Sequence, residues 1–372
     1  MIDVLVMGSR GFVGRNLCSV LRRMEAVHLL EFDQDVAWQE LERMLGHIKV
    51  VFHLAGVNRP KHEEEFYEGN TGLTEDLCST LHRLGNFPKI VFASSIQADL
   101  ANPYGMSKRY AEDALRRFSE KTGASCIVYR LKNLFGKWCR PNYNSVTATF
   151  CHNISHGLPI HISDPEREIE LTYIDDLVEA FITELRPEEP GFRFAPPLPS
   201  TTVTLGELAE KIRTFRDSRF TLRLPDFSNA FDRSLYATYL SYLDGEEFGY
   251  SLSVRSDERG SLAEILKSPS MGQVFVSRTR PGVTRGNHFH HTKTEKFIVV
   301  QGEAVIRFRH IESEQIIEHH VRGEDFRVLD IPPGYTHSIE NIGRDELVTL
   351  FWASEILNPE LPDTYPDPVV KS

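Results

Sequence analysis

The chain has 372 residues, about two and a half times a typical domain, so two domains are the starting expectation. Charged residues make up 26% and hydrophobic residues 41%, which excludes wholesale disorder. Acidic residues outnumber basic ones by 53 to 42, giving a formal net charge of −11, so no global basic field exists to draw in nucleic acid or an anionic membrane surface. No apolar run approaches the roughly 20 residues that a spanning helix needs. The N-terminal residues from Met1 to Met7 enter a strand pattern at once, without a basic region or cleavage site, so export is not expected. Five cysteines (Cys18, Cys78, Cys126, Cys139 and Cys151) show no Cys-x-x-Cys spacing, which predicts reduced thiols in a cytoplasm.

In chain order, Ile2 to Met7, Val27 to Phe32, Val50 to Leu54, Ile90 to Ser94 and Cys126 to Leu131 read as buried parallel strands. Between them Gly14 to Met24, Gly69 to Leu84 and Tyr104 to Thr122 carry helical spacing. That βαβ rhythm predicts an α/β, Rossmann-type doubly wound parallel sheet. Pro187 to Pro199 is rich in proline and glutamate, and Leu205 to Phe215 reads as helical. Asp244 to Ser256, with its glycines and acidic residues, is the expected boundary, giving domains 1–243 and 244–372. Beyond it the texture changes to short strands at close intervals: Val274 to Arg278, Glu295 to Val300, Ala304 to His310 and Gln315 to Val321. An all-β sandwich or small barrel matches.

Gly8-Ser9-Arg10-Gly11-Phe12-Val13-Gly14 follows the first strand and opens a helix. Glycines there allow a tight turn and close backbone approach to a pyrophosphate, which the free N–H groups of the helix start would bind. Asp33, ending the second strand, can accept from a ribose 2′-hydroxyl and would repel a 2′-phosphate, whereas Arg10 can bind that phosphate bidentately. Tyr104 and Lys108 lie one helical turn apart on the same face, so the ammonium can lower the phenol pKa and favour proton transfer with a substrate oxygen. Ser95 would hydrogen-bond the same oxygen, although the interval of nine residues to Tyr104 leaves Ser94 as an alternative.

The Gly-x-x-Gly-x-x-Gly spacing and Tyr104-x-x-x-Lys108 resemble the extended short-chain dehydrogenase/reductase family. His53-Leu54-Ala55-Gly56 is similar to its fourth-strand motif, which implies that Leu54, Ala55 and Gly56 line the cofactor together with Gly8, Arg10, Gly11, Phe12, Val13, Gly14, Asp33 and Lys108. Arg130-Leu-Lys-Asn133-Leu-Phe-Gly136 resembles the segment with which nucleotide-sugar members bind substrate, implying a substrate contact for Asn133. Leu171 to Asp176 resembles a later segment preceded by an arginine; Ile169 stands in that place, and Arg167, two residues earlier, is the candidate for the diphosphate.

In the second half, Gly282, His288, His290, Glu295 and Gly302 are spaced in a way that resembles the first cupin motif, and Pro332 to His337 with Asn341 resembles most of the second, which implies a jelly-roll and makes His288, His290, Glu295 and His337 the candidate metal ligands. Residues two apart on a strand share a face, so His288 and His290 can point together into a barrel, with Glu295 and His337 supplied by neighbouring strands. Imidazole and carboxylate suit zinc, iron, nickel or manganese alike, and the resemblance favours zinc. Asp257 to Glu264, Gln273, Ser277 and Gly282 to Gly286 are similar to the dTDP-4-keto-6-deoxyhexose 3,5-epimerases, implying Arg285 as a substrate contact, Lys296 as the lysine that stabilises an enolate, and His288 as the base. One imidazole nitrogen cannot both bind metal and remove a proton. Either the metal stabilises the developing charge or the base is another group.

Asn142 to Val146 and Gly286 to Lys293 resemble the bifunctional capsular polysaccharide synthesis enzymes that make UDP-2-acetamido-2,6-dideoxy-L-talose. The resemblance implies epimerisation of a UDP-4-keto-6-deoxy-sugar by the cupin, then reduction of the ketone by the first domain with NADPH, NADH being the other possibility. It also implies a homodimer paired through the cupin. Two other readings stand beside this: a reductase whose cupin is only a dimerisation module, and a nucleotide-sugar sensor without chemistry.

Overall fold

Met1–Arg213 with Ser228–Leu243 form one unit of the computed structural model, and Thr214–Phe227 with the chain from Asp244 onward form a second. Residues 1–187 and 189–371 are described. The first unit is built on strands β1 (Ile2–Met7), β2 (Val27–Phe32), β3 (Val50–His53), β4 (Lys89–Ser95) and β5 (Cys126–Leu131). They lie in the order β2-β1-β3-β4-β5, followed by Phe192–Phe194, and every pairing is parallel. Each strand is apolar on both faces, as a sheet covered on both sides requires. Leu5, Met7, Val51, Ile90 and Phe92 pack toward Leu77, Leu81 and Leu115, while Val4, Val6, Phe52 and Val91 pack toward Leu17, Leu177 and Phe181. Phe52 is fully buried 5.4 Å from the Phe181 ring, and its truncation to alanine would cost about 3–5 kcal/mol.

Helix α1 (Phe12–Leu21) follows β1 across the glycine turn. A Cβ on Gly14 would lie 2.1 Å from the Gly8 carbonyl oxygen. Gly8 itself has φ +84°, a conformation that L side chains rarely adopt. A small three-stranded sheet (Asn133–Phe135, Glu168–Tyr173 and Thr201–Thr204) and the helix Trp38–Leu45 complete the frame; they are too short to stand out as periodic segments.

The second unit is cupin-like, its C-terminal region built on two antiparallel sheets. Its six-stranded antiparallel sheet runs Val254–Asp257, Gly260–Ser268, Gly272–Thr279, Leu347–Ala353, Glu295–Gln301 and Val328–Ile331. The five-stranded sheet runs Ile316–Arg322, Glu303–His310, Tyr335–Asn341, Thr284–Phe289 and Tyr365–Pro366. Phe297, Val299, Leu347 and Phe351 from the first sheet meet Ile306, Phe308 and Ile339 from the second in one core. Thr214–Phe227 joins this unit because Leu224 N–H donates to the Lys267 carbonyl at 2.8 Å and Lys267 N–H returns to Leu222 at 2.7 Å. Nothing in local periodicity announces that excursion, which begins inside the helix Leu205–Thr221. The five cysteines are buried free thiols, and among the described residues no helix is long and apolar enough to cross a membrane.

Candidate active site and metal centre

A cleft of about 870 Å³ in the first unit is lined by Gly8, Arg10, Gly11, Phe12, Val13 and Gly14 at one end. Gly11 caps α1 without a side-chain hydrogen bond, so the N–H groups of the first turn remain available to an anion. That is the fit expected for the diphosphate of a dinucleotide. Asp33 does not line the cleft. Its carboxylate accepts the N–H groups of Arg10 at 2.8 Å and Gln34 at 2.9 Å, which fixes the loop in place. Arg10 reaches Asp35 at 2.7 Å, with both side chains largely exposed. Leu54 and Gly56 line the same cleft, whereas Ala55 supports Gly8 from beneath, its N–H only 2.7 Å from where a Gly8 Cβ would stand.

Ser95, Tyr104, Lys108 and Asn133 line the cleft as well. The short interval from Ser95 to Tyr104 is bridged by one 3-10 turn, Ile96–Asp99, and a helix start. Ser95 caps the turn by accepting Gln97 N–H at 3.2 Å, and Asn102 caps the helix Pro103–Thr122 by accepting Gly105 N–H at 2.8 Å. Proline in the first helical position is preorganised for this entry, which puts Tyr104 in the first turn. A Cβ on Gly105 would lie 2.0 Å from the Gln97 carbonyl, so glycine is what lets the helix sit against the turn.

Burial raises the Tyr104 pKa, and a hydrogen bond with Ser95 opposes the rise. Ser94 points to the other face of the strand, where its hydroxyl donates to the buried Glu112 at 2.5 Å. Glu112 also holds Arg130, so the arginine of the Arg-x-x-Asn segment is a structural partner. Lys108 is buried, donates to the Ala93 carbonyl at 3.0 Å and stands 4.9 Å over the Phe92 ring. Burial pulls its pKa down to about 8, with Glu112 opposing.

Arg167 lies on an adjoining hollow with Arg59, His161 and the shared residues Asn133 and Tyr143. The Tyr143 ring stands between Arg140 at 5.1 Å and Arg59 at 5.8 Å. Arg140, three positions from that aromatic, belongs to no motif of the sequence, while Arg59 meets it only in three dimensions. Asn70 was missed for the same reason: a π-helical segment, Tyr67–Gly72, buries it against Val57 and Ser107 behind Gly56.

In the second unit His288, His290, Glu295 and His337 converge, each offering one ligand atom, with all four atoms within 4.8 Å of one another. A bulge makes this possible. Gly286 pairs with Ser338 and His288 with His337, so Asn287, at φ +63°, is the extra residue that re-aims the strand end. His290 lies just past that end, and Glu295 opens a strand of the other sheet. Two of the rings are oriented by backbone carbonyls: Tyr335 for His337 and Asp363 for His290. A carbonyl accepts only, so the Nδ1 atoms of His290 and His337 carry the proton and their Nε2 lone pairs face inward. Both Nε2 atoms are buried without a hydrogen-bond partner, 3.4 and 3.5 Å from a Glu295 carboxylate oxygen. Acceptors facing acceptors in a buried site fit a cation, and three imidazoles with one carboxylate suit a divalent transition metal.

Lys296 does not join this cluster, contrary to the reading of it as the enolate-stabilising residue. Successive strand residues point to opposite faces, so with Glu295 directed inward Lys296 is turned outward, half-exposed and paired with Asp330. Arg285 stays on the cupin strand, donating to Thr279 Oγ1 at 3.0 Å and standing 4.0 Å from Asp257.

Fold and sites together define a dinucleotide-binding α/β unit joined to a cupin-like β unit. The chain belongs to the NAD dependent epimerase/dehydratase family, whose pattern matches residues 4–192, and residues 255–365 match the polysaccharide biosynthesis C-terminal domain. It is 42% identical over 364 residues, 98% of each chain, to the UDP-2-acetamido-2,6-beta-L-arabino-hexul-4-ose reductase of Pseudomonas aeruginosa. The crystal structure of the capsular polysaccharide assembling protein CapF from Staphylococcus aureus superposes with a TM-score of 0.92 at 43% identity, covering 99% of this chain and 100% of that one. A UDP-glucuronic acid 4-epimerase from Bacillus cereus in complex with NAD shares the fold over 65% of this chain and 98% of its own, with a TM-score of 0.53 at 17% identity.

Proposed function

We propose that the chain is a bifunctional nucleotide-sugar enzyme acting in surface polysaccharide synthesis. Its cupin-like unit epimerises a UDP-2-acetamido-2,6-dideoxy-4-keto-hexose at the carbon beside the ketone. Its first unit reduces the 4-keto group to give UDP-2-acetamido-2,6-dideoxy-L-talose. The observation that carries the reading is that Ser95, Tyr104 and Lys108 line one cleft together with the glycine loop. The name of the Pseudomonas aeruginosa relative supports the substrate.

Bound nicotinamide would supply the hydride to the ketone carbon. Tyr104 would give its proton to the ketone oxygen, Ser95 would hold that oxygen, and Lys108 would favour the phenolate that remains. Asn133, Arg167 and the Arg59–Tyr143–Arg140 group would hold the sugar diphosphate. NADPH is the proposed donor, because Arg10 can exchange Asp35 for a 2′-phosphate; a lower KM for NADH would overturn that preference. A divalent cation, zinc by preference, held by His288, His290, Glu295 and His337 would draw electron density from the keto oxygen. Arg285 would contact the substrate there, and pairing through the cupin-like unit would give a cytoplasmic homodimer.

The test is NMR of the product made from the UDP-4-keto-6-deoxy-sugar in deuterated water with NADPH. The expected product is the 4-hydroxy sugar with deuterium at the adjoining carbon. Tyr104→Phe should stop reduction, by two to four orders of magnitude, and leave deuterium exchange intact. Loss of both in a folded variant would refute separate sites; exchange surviving metal removal would favour a base that does not need the metal, and exchange lost from a folded metal-free protein would favour catalysis by the metal site.

A further inference from the structure

Of the two carbonyls that orient metal-cluster imidazoles, one is local, Tyr335 for His337, two residues back in the same strand. The other is not. His290 Nδ1 donates to the carbonyl of Asp363, 73 residues further along the chain. The carboxylate of the same residue accepts the N–H groups of His291 at 2.9 Å, Thr292 at 2.7 Å and Lys293 at 2.8 Å, and the Thr292 hydroxyl at 2.9 Å. Asp363 sits at the apex of a three-residue turn closed by Thr364 N–H on the Pro362 carbonyl at 2.7 Å, so carbonyl and carboxylate both serve the segment His290–Lys293. Lys293, itself buried, adds a bond from Nζ to Thr364 Oγ1 at 2.9 Å.

The stretch that carries Asp363 is pinned on its other side. Tyr365 and Pro366 pair with Phe289 and His288, and the Tyr365 ring stacks on Phe289 at 5.3 Å. Asp367 N–H donates to the Asn287 carbonyl at 2.9 Å, and the fully buried Arg309 holds the Asp367 carboxylate at 2.6 Å and the Val369 carbonyl at 3.0 Å. The pairings of Tyr365 and Pro366 and the bond from Asp367 land on the strand Thr284–Phe289 that leads to His290, while Arg309 ties the same stretch to the strand Glu303–His310. A metal ligand lying past the end of its strand has no ladder of its own to hold it.

We propose that Asp363 is a positioning residue for the metal centre, its carboxylate holding the His290–Lys293 turn while its carbonyl fixes the His290 tautomer that presents Nε2 to the cation. The proposal rests on the reading of the four-residue cluster as a metal site. Partners that orient ligating histidines typically contribute 10–100-fold to metal affinity.

The experiment measures zinc affinity of the full-length protein by competition with a chromophoric chelator, together with thermal midpoints and the nitrogen-15 shifts of the histidine side chains in zinc-free protein. Asp363→Ala should weaken zinc binding 10–100-fold and leave His290 a mixture of tautomers. Asp363→Asn, which keeps an acceptor for part of the turn, should fall between and serves if the alanine variant does not fold. A purely structural role would lower the thermal midpoint while leaving zinc affinity within twofold and the His290 tautomer unchanged, and that result overturns the proposal. Failure of the unaltered protein to bind zinc would overturn the metal site itself, and the proposal with it.

Discussion

Ser94 and Ser95, neighbours on one strand, end on opposite faces: Ser94 Oγ reaches the buried Glu112 carboxylate at 2.5 Å, and Ser95 caps the turn Ile96–Asp99 beside Tyr104 in the cleft. Ser95→Ala should lower kcat for ketone reduction on the order of 10- to 100-fold with little effect on stability. Ser94→Ala should leave kcat within about threefold and cost about 1–3 kcal/mol, because Glu112 loses a donor in a buried setting. Steady-state kinetics and denaturant midpoints of the two variants check this, and the reverse pattern would exchange their roles.

Lys108 titrates at about 8 in the fold against 10.5 in the unfolded chain, because burial disfavours its charge. Between those values the unfolded chain holds more protons, so the lysine's contribution to stability rises with pH across that window. Below it the charge is present in both states and its burial costs on the order of 3 kcal/mol. Lys108→Met should therefore be more stable than the unaltered protein at pH 7, by about 1–2 kcal/mol once the lost bond to Ala93 is counted. That advantage should shrink from pH 8 upward, while ketone reduction is lost. Unfolding curves at pH 7, 8, 9 and 10 measure it, and a variant less stable at pH 7 contradicts the account. In the unaltered enzyme, kcat/KM should fall above pH 8 as the ammonium is lost.

Lys296 is half-exposed and paired with Asp330 on the outer face of its strand. Lys296→Ala should leave deuterium exchange and reduction within about twofold and change stability by less than about 1 kcal/mol, as exposed ion pairs usually do. A hundredfold loss of exchange would restore the catalytic reading.

His290→Ala should release the metal and abolish deuterium exchange, while NADPH oxidation with an already epimerised substrate continues. Metal analysis of the purified variant decides the first point. Unchanged metal content would remove the ligand assignment.

How far the sequence reaches differs between the two units. The convergence of the glycine loop, Ser95, Tyr104 and Lys108 on one cleft was legible because it is local: a glycine turn, a strand end and one turn of helix each place their residues through backbone geometry that a short segment sets by itself. The two cupin segments were legible for the same reason, since His288, His290 and Glu295 fall within eight residues. Lys296 was misplaced because proximity in sequence to a ligand says nothing about strand face until the pairing register is known, and here that register directs Glu295 inward. The choice between Ser94 and Ser95 had the same character, two adjacent hydroxyls separated only by the pleat.

The amino-acid sequence alone determined that the chain joins a parallel dinucleotide-binding sheet to an antiparallel histidine-bearing one, because periodicity, glycine spacing and histidine spacing are properties of contiguous segments. Tertiary structure alone decided that Asp33 braces the glycine loop, that Arg59 and Arg140 flank Tyr143, and that Asp363 orients His290. Apart from Arg140 and Tyr143, three positions apart, those relationships join residues distant in the chain, and such contacts follow from how elements pack, which no local pattern encodes.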